Sequence, residues 1–309
     1  MAFSASEAAF EGFRILRREP KSAVVWAGFL LATSIGAMLL MLPFLRNMAG
    51  GFGLTPGTPP SPAAALAIMG EMGRLYLVII PIYLIVTSVF TAAVYRAVLR
   101  PEDKGFGRLE LGGDELRLFG LFILMGLLFF GLSFLVTFVG TMVAVGVGLA
   151  LKSSSPSAAA IAVVVAYLAT LIVLLWVSVR LSFAAPITFT QRRIRLFDSW
   201  KLTKGRFWSL FGCYVLAFVF VVIIALVDLV VIGVLSIGMN GGSFTQAAAS
   251  MMRPDYSSYA SLFTPLYIVR LLVGAVFGLF SWTVMAAAPA AAYRELVAPR
   301  PEDRVASLT

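Results

Sequence analysis

The chain has 309 residues, 60% of them hydrophobic and 13% charged, with a mean hydropathy of +0.96 and a formal net charge of +9. Soluble domains run at about half apolar and a quarter charged, so this composition excludes a soluble globular protein. There is no histidine, and the single cysteine is Cys213. That removes the commonest zinc ligand, the commonest general base and any internal disulfide. No cofactor or metal is expected, and the protein is read as a non-enzyme.

The N-terminal stretch MAFSASEAAFEGFRILRREPK carries charge up to Lys21 and leads into an apolar run too long for a signal-peptide core, so no cleavage is expected. Ser4 with Glu7 forms a capping-box start. Phe10, Phe13 and Leu16 then fall on one helical face, with Glu11 and Arg14 adjacent on the next.

Apolar length measured against about 20 residues per crossing predicts six spans: 22–45, 75–99, 116–151, 158–189, 207–239 and 265–296. Strand-sized alternation is absent and the runs exceed what a barrel strand needs, so the fold class is all-α. The chain reads as one polytopic transmembrane domain with a cytoplasmic tail at 297–309. Pro81 should kink the second span. Between the spans on one side lie Pro- and Gly-rich connections, with short interfacial helices expected around 63–74 and 244–252.

Basic residues cluster before the first span (Arg14, Arg17, Arg18, Lys21), between the second and third (Arg96, Arg100, Lys104, Arg108, Arg117), between the fourth and fifth (Arg192 to Arg206), and after the last (Arg294, Arg300, Arg304). The other side carries only Arg46, Arg74, Lys152, Arg253 and Arg270. The positive-inside rule therefore predicts cytoplasmic N- and C-termini. Topology accounts for the charge, and nucleic acid is not expected as a partner.

A short pattern of acid, any residue, apolar, basic, apolar recurs before each odd-numbered span, at 11–15, 114–118 and 198–202. Tyr-Arg followed by Arg-Pro-Glu-Asp recurs at 95–103 and 293–303, and Ala-Ala-Pro at 184–186 and 287–289. The pattern predicts three helical hairpins, each preceded by a cytoplasmic interfacial amphipathic helix. In the third copy, FDSWKLTKGRFW, Ile194, Phe197 and Trp200 are expected on one face, Asp198 beside Lys201, and Gly205 ending the helix.

Phe10, Phe13, Arg14, Phe197, Trp200, Lys201, Lys204, Arg206 and Trp208 are the candidate membrane-surface or docking residues. Their expected partners are anionic lipid headgroups of the bilayer, and a cytoplasmic or membrane protein. Inside the spans, Asp228 is the one acid at depth. It is expected to pair with Arg270, or each to snorkel to the outer interface; in the alternative reading it serves as a coupling carboxylate. Small residues at Gly140, Ala144 and Gly148, and at Gly274 and Gly278, have helix-packing spacing. Cys213 is expected to be a small buried apolar residue.

The stretch LSFAAPITFTQRRIRLFDSWKLTKGRFWSLFGCYVL, through Pro186, Ser199, Trp200, Lys204, Gly205, Arg206, Phe207 and Trp208, resembles the bacterial glycerophosphoryl diester phosphodiesterase membrane-domain-like proteins. The resemblance implies a membrane module, in some relatives fused to a phosphodiesterase domain; with no soluble segment to hold a barrel and no histidine for its metal site, that catalytic domain is not expected here. The functional expectation is a non-enzymatic scaffold, assembly factor or lipid-associated accessory protein of a bacterial inner membrane. A small transporter or channel working through Asp228 is the alternative.

Overall fold

The computed structural model describes residues 4–49, 61–103, 105–150, 156–252 and 255–297. Lys104, Lys152, Arg253, the tail beyond Val297 with its Arg-Pro-Glu-Asp echo, and most of the 46–62 and 152–157 connections lie outside the described residues. Among those described there are helices and turns but no strand.

The helices in chain order are α1 (Ala5–Arg18), α2 (Pro20–Ala49), α3 (Pro62–Leu99), α4 (Gly113–Ala150), α5 (Pro156–Leu181), α6 (Ala184–Gln191), α7 (Asp198–Leu202), α8 (Phe207–Met239), α9 (Phe244–Met252) and α10 (Pro265–Val297). Six helical stretches are long and apolar enough to cross a membrane. The chain is an all-helical, multi-pass membrane protein by architecture.

The long helices pack in turn, α2 on α3, α3 on α4, α4 on α5, α5 on α8 and α8 on α10, with α10 also packed against both α2 and α3. Burial is concentrated at the end where α1, the 100–112 connection and the 192–206 connection meet, here the basic end. In α3 every buried residue lies between Ser88 and Val98. In α10 burial is densest from Thr283 to Tyr293. Beyond Leu121, α4 leaves Leu127, Phe130, Phe134 and Met142 exposed. Apolar surface on this scale is stable only against lipid or another apolar partner.

Three expected elements differ. The 63–74 stretch is no separate helix but the first turns of α3, which starts with Ser61 capping Ala64 (3.2 Å) and Pro62 at the first helical position. The 158–189 span is broken at Ser182 and Phe183, because Pro186 has no N–H for Ser182 and its ring crowds the preceding turn. The glycines at 274 and 278 are not a tight seam, since a Cβ there would meet nothing within 4 Å. Gly140 is one: its Cβ would sit 2.7 Å from Ala166 Cβ on α5.

Candidate functional site

The basic end is held by a network of arginines and carboxylates. Arg96 and Glu115 form a buried pair, with Glu110 at 3.4 Å from the same guanidinium. Arg108 Nε and Nη2 donate to Glu19 at 2.8 and 2.6 Å, a bidentate clamp across the α1–α2 junction. Its Nη1 donates to the Asp103 carbonyl (2.6 Å), and Arg96 Nη1 donates back to the Arg108 carbonyl (2.8 Å). Arg100 reaches Asp114 (2.8 Å) and the Phe189 carbonyl (2.7 Å) while lying 4.3 Å over the Phe189 ring. Four separate elements are thereby tied together. Hydrogen bonds from Arg108 hold the Glu19 carboxyl below its ordinary value, against the opposing effect of its burial.

A second junction joins the chain's two described ends. Ser4 Oγ accepts from Glu7 N (3.4 Å), as a capping box requires. The reciprocal bond goes elsewhere: Ser4 N donates to Glu295 Oε2 (3.3 Å). Glu11, 3% exposed, takes Arg294 at 3.1 Å and Arg14 at 3.6 Å. Ala8, Ala9, Gly12 and Ile15 are buried, and α1 lies against α10 and α8. A Cβ on Gly12 would be 2.6 Å from Val284 Cα, so glycine permits the close approach. Phe13 meets Phe220 (5.6 Å) and Phe280 (6.2 Å), and Phe10 meets Phe220 (4.6 Å) while remaining 44% exposed.

The 192–206 segment differs from the expected helix. Only α7 is helical there, so Ile194 precedes it and shares no face with Trp200. Arg192 adopts the left-handed region (φ 53) and stops α6 before the segment begins. Asp198 pairs with Arg195 (3.0 Å) and not with Lys201. Gly205 makes the turn as expected, at φ +77. Ser199 does something spacing alone does not reveal. The α5–α6 break frees the Arg180 carbonyl and the Phe183 N–H, and Ser199 Oγ donates to the first (2.7 Å) and accepts from the second (3.0 Å). Trp200 stands edge-on to Trp176 (5.0 Å), and the Arg180 guanidinium lies 5.6 Å from both rings. Phe197, Lys201, Lys204, Arg206 and Trp208 are exposed around this anchor. The second copy, at 114–118, is the first turn of α4 and not a helix of its own.

Compared with protein-family models, curated proteins and solved structures, the chain finds no match.

Asp228 lies on the inward stripe of α8 that also carries Cys213, Ala217, Ile232 and Ser236. The expected pair with Arg270 is not made. Asp228 Oδ1 is buried without a hydrogen-bond partner, and Arg270 is exposed with no carboxylate within 4.0 Å among the described residues. Arg270 sits one turn inside the start of α10. Cys213 is buried, as expected.

What sequence reasoning missed is the carboxylate side of the basic end. Arg96, Arg100 and Arg108 were counted for topology, yet each is matched to an acid or a carbonyl. The signal was present in the acids Glu110, Asp114 and Glu115, which follow those arginines within one short connection.

Proposed function

We propose that the chain is a non-enzymatic inner-membrane scaffold or lipid-associated accessory protein of bacterial origin, with its basic end at the cytoplasmic leaflet. On this reading, three helical hairpins are held at that end by their arginine–carboxylate junctions, and the exposed aromatic and cationic residues of 197–208 rest in the headgroup layer. One observation carries it: a rigid, ion-paired end presents Phe197 (65% exposed) and Trp208 (77% exposed) beside Lys201, Lys204 and Arg206. Aromatic rings with flanking cations suit the membrane interface.

The test is quenching of Trp208 fluorescence by brominated anionic lipid in nanodiscs, taken as the difference between the protein and its Trp208→Phe variant. Strong quenching supports the reading. A Trp208 signal insensitive to brominated lipid removes it. For an assembly role, Phe197→Ser combined with Trp208→Ser should change the proteins that co-purify at an unchanged membrane level.

A second reading, a small transporter or channel, is favoured by the unpartnered Asp228 Oδ1 on the inner stripe of α8. In proteoliposomes under a pH gradient, Asp228→Asn should abolish proton flux if the carboxylate couples transport. Equal flux in both proteins rules coupling out.

A further inference from the structure

Between the α1–α2 junction and the 105–108 loop lies an open cleft of about 660 Å³, lined by Arg18, Glu19, Lys21, Ser22, Phe106 and Arg108 among others. Its walls are fixed. Gly107 is at φ +56, and a Cβ there would lie 2.8 Å from Val25 Cβ, so the loop lies flat on α2. Trp26 Nε1 donates to the Gly107 carbonyl (2.6 Å), and buried Arg108 clamps Glu19. The charges do not cancel. Both Glu19 oxygens accept from Arg108, so that pair is neutral. Arg18 is exposed, with only Glu11 as far off as 4.0 Å, and Lys21 is exposed with no carboxylate within 4.0 Å among the described residues.

Beside these two cations the surface is apolar. Phe106 is 83% exposed and Val24, one turn along α2 from Lys21, is 73% exposed. Arg108 ties the loop in place with five side-chain hydrogen bonds, two to the Glu19 carboxylate and three to the Arg100, Pro101 and Asp103 carbonyls, while the Phe106 ring beside it stays uncovered, an apolar surface open to an apolar ligand. Lys21 lies one residue inside a helix long and apolar enough to cross a membrane, so a crossing of α2 would bring its ammonium to the level where phosphates meet hydrocarbon. A soluble phosphate would satisfy the cations and leave the ring unexplained.

We propose that this cleft is a site for one anionic glycerophospholipid, with Arg18 and Lys21 on its phosphate and Phe106 against its acyl chains. The site is separate from the 197–208 segment and needs only that α2 crosses the membrane.

The test is native mass spectrometry of lipid retained by the full chain after transfer from nanodiscs of phosphatidylcholine doped with phosphatidylglycerol. The protein should retain one phosphatidylglycerol about twenty-five-fold in preference to phosphatidylcholine, since each of the two interfacial cations contributes roughly a fivefold gain. Arg18→Gln with Lys21→Gln should remove the preference, and Phe106→Ser should lower retention of both lipids. Melting temperatures should stay unchanged, because all three side chains are exposed. Glycerol 1-phosphate should not displace the lipid. Equal retention by the double variant overturns the site, and displacement by glycerol 1-phosphate overturns its assignment to a lipid. Neither result bears on Trp208 quenching, so failure here and failure of the surface reading are distinguishable.

Discussion

Gly12 and Gly274 make a controlled pair at the level of single residues. Both are helical glycines, but only Gly12 faces backbone at 2.6 Å, and Gly274 faces open space. Gly12→Ala forces α1 away from α10 and should cost about 1–3 kcal/mol by overpacking, seen as a lower melting temperature in detergent. Gly274→Ala should leave the melt unchanged or raise it slightly, because alanine is the better helix former. Glu19 supplies the pH dependence. Its carboxyl is depressed from an ordinary 4.5, chiefly by hydrogen bonds from Arg108. A depressed carboxyl binds its proton more weakly folded than unfolded, so its stabilisation is complete above pH 4.5 and is lost as pH falls through the folded value. Chemical denaturation of the protein and of Glu19→Gln should therefore converge at low pH. A constant gap across that range contradicts the assignment.

Among elements, the broken α5–α6 pair shows why a hydropathy profile misplaces a boundary. Residues 158–189 are predominantly apolar, but Pro186 interrupts the ladder, and the freed groups are recovered by Ser199 from a segment of different chain position. No periodicity within 158–189 contains that information. Ser199→Ala leaves the buried Phe183 N–H unpaired and the Arg180 carbonyl with only the longer bond from Thr203 Oγ1 (3.3 Å), and should cost about 1–3 kcal/mol, with faster amide exchange at Phe183. The repeated segments were legible in unequal measure for the same reason. The N-terminal copy has 14 helical residues and a Ser4 cap. The copy at 198 has five, because Arg192 turns left-handed and the chain needs the preceding residues to cross from α6 to α7. The shared acid-to-basic motif survives in both, but its partners are set by tertiary packing: Arg294 for Glu11, Arg195 for Asp198. Burial separates their energetics. Arg96→Ala strands Glu115 and should cost about 3–5 kcal/mol, whereas Arg195→Ala, in an exposed pair, should cost at most about 1 kcal/mol.

For the whole molecule, the number of membrane-competent helices follows from length and apolarity alone, and the six regions expected from sequence each contain one. Where the burial sits does not follow. Hydropathy scores a lipid-facing leucine and a core leucine alike, so the packed basic end and the exposed remainder of α4 and α8 emerge only from the assembled helices. The Arg108–Glu19 pair, whose partners are 89 residues apart in the chain, is illegible for a related reason: charge counting by side records how many cations lie on a face and not which are already neutralised. The claim on which the reading rests is that the basic end faces the cytoplasm and the opposite end the other side. Single cysteines in a Cys213→Ala background, at the exposed positions Ser6 and Arg193 on the basic end and Ser258 on the other, test it with a membrane-impermeant maleimide. The account predicts that Ser6→Cys and Arg193→Cys react only in inside-out vesicles and Ser258→Cys only in spheroplasts; labelling of Ser6→Cys and Ser258→Cys from the same side, or with the sides exchanged, contradicts it.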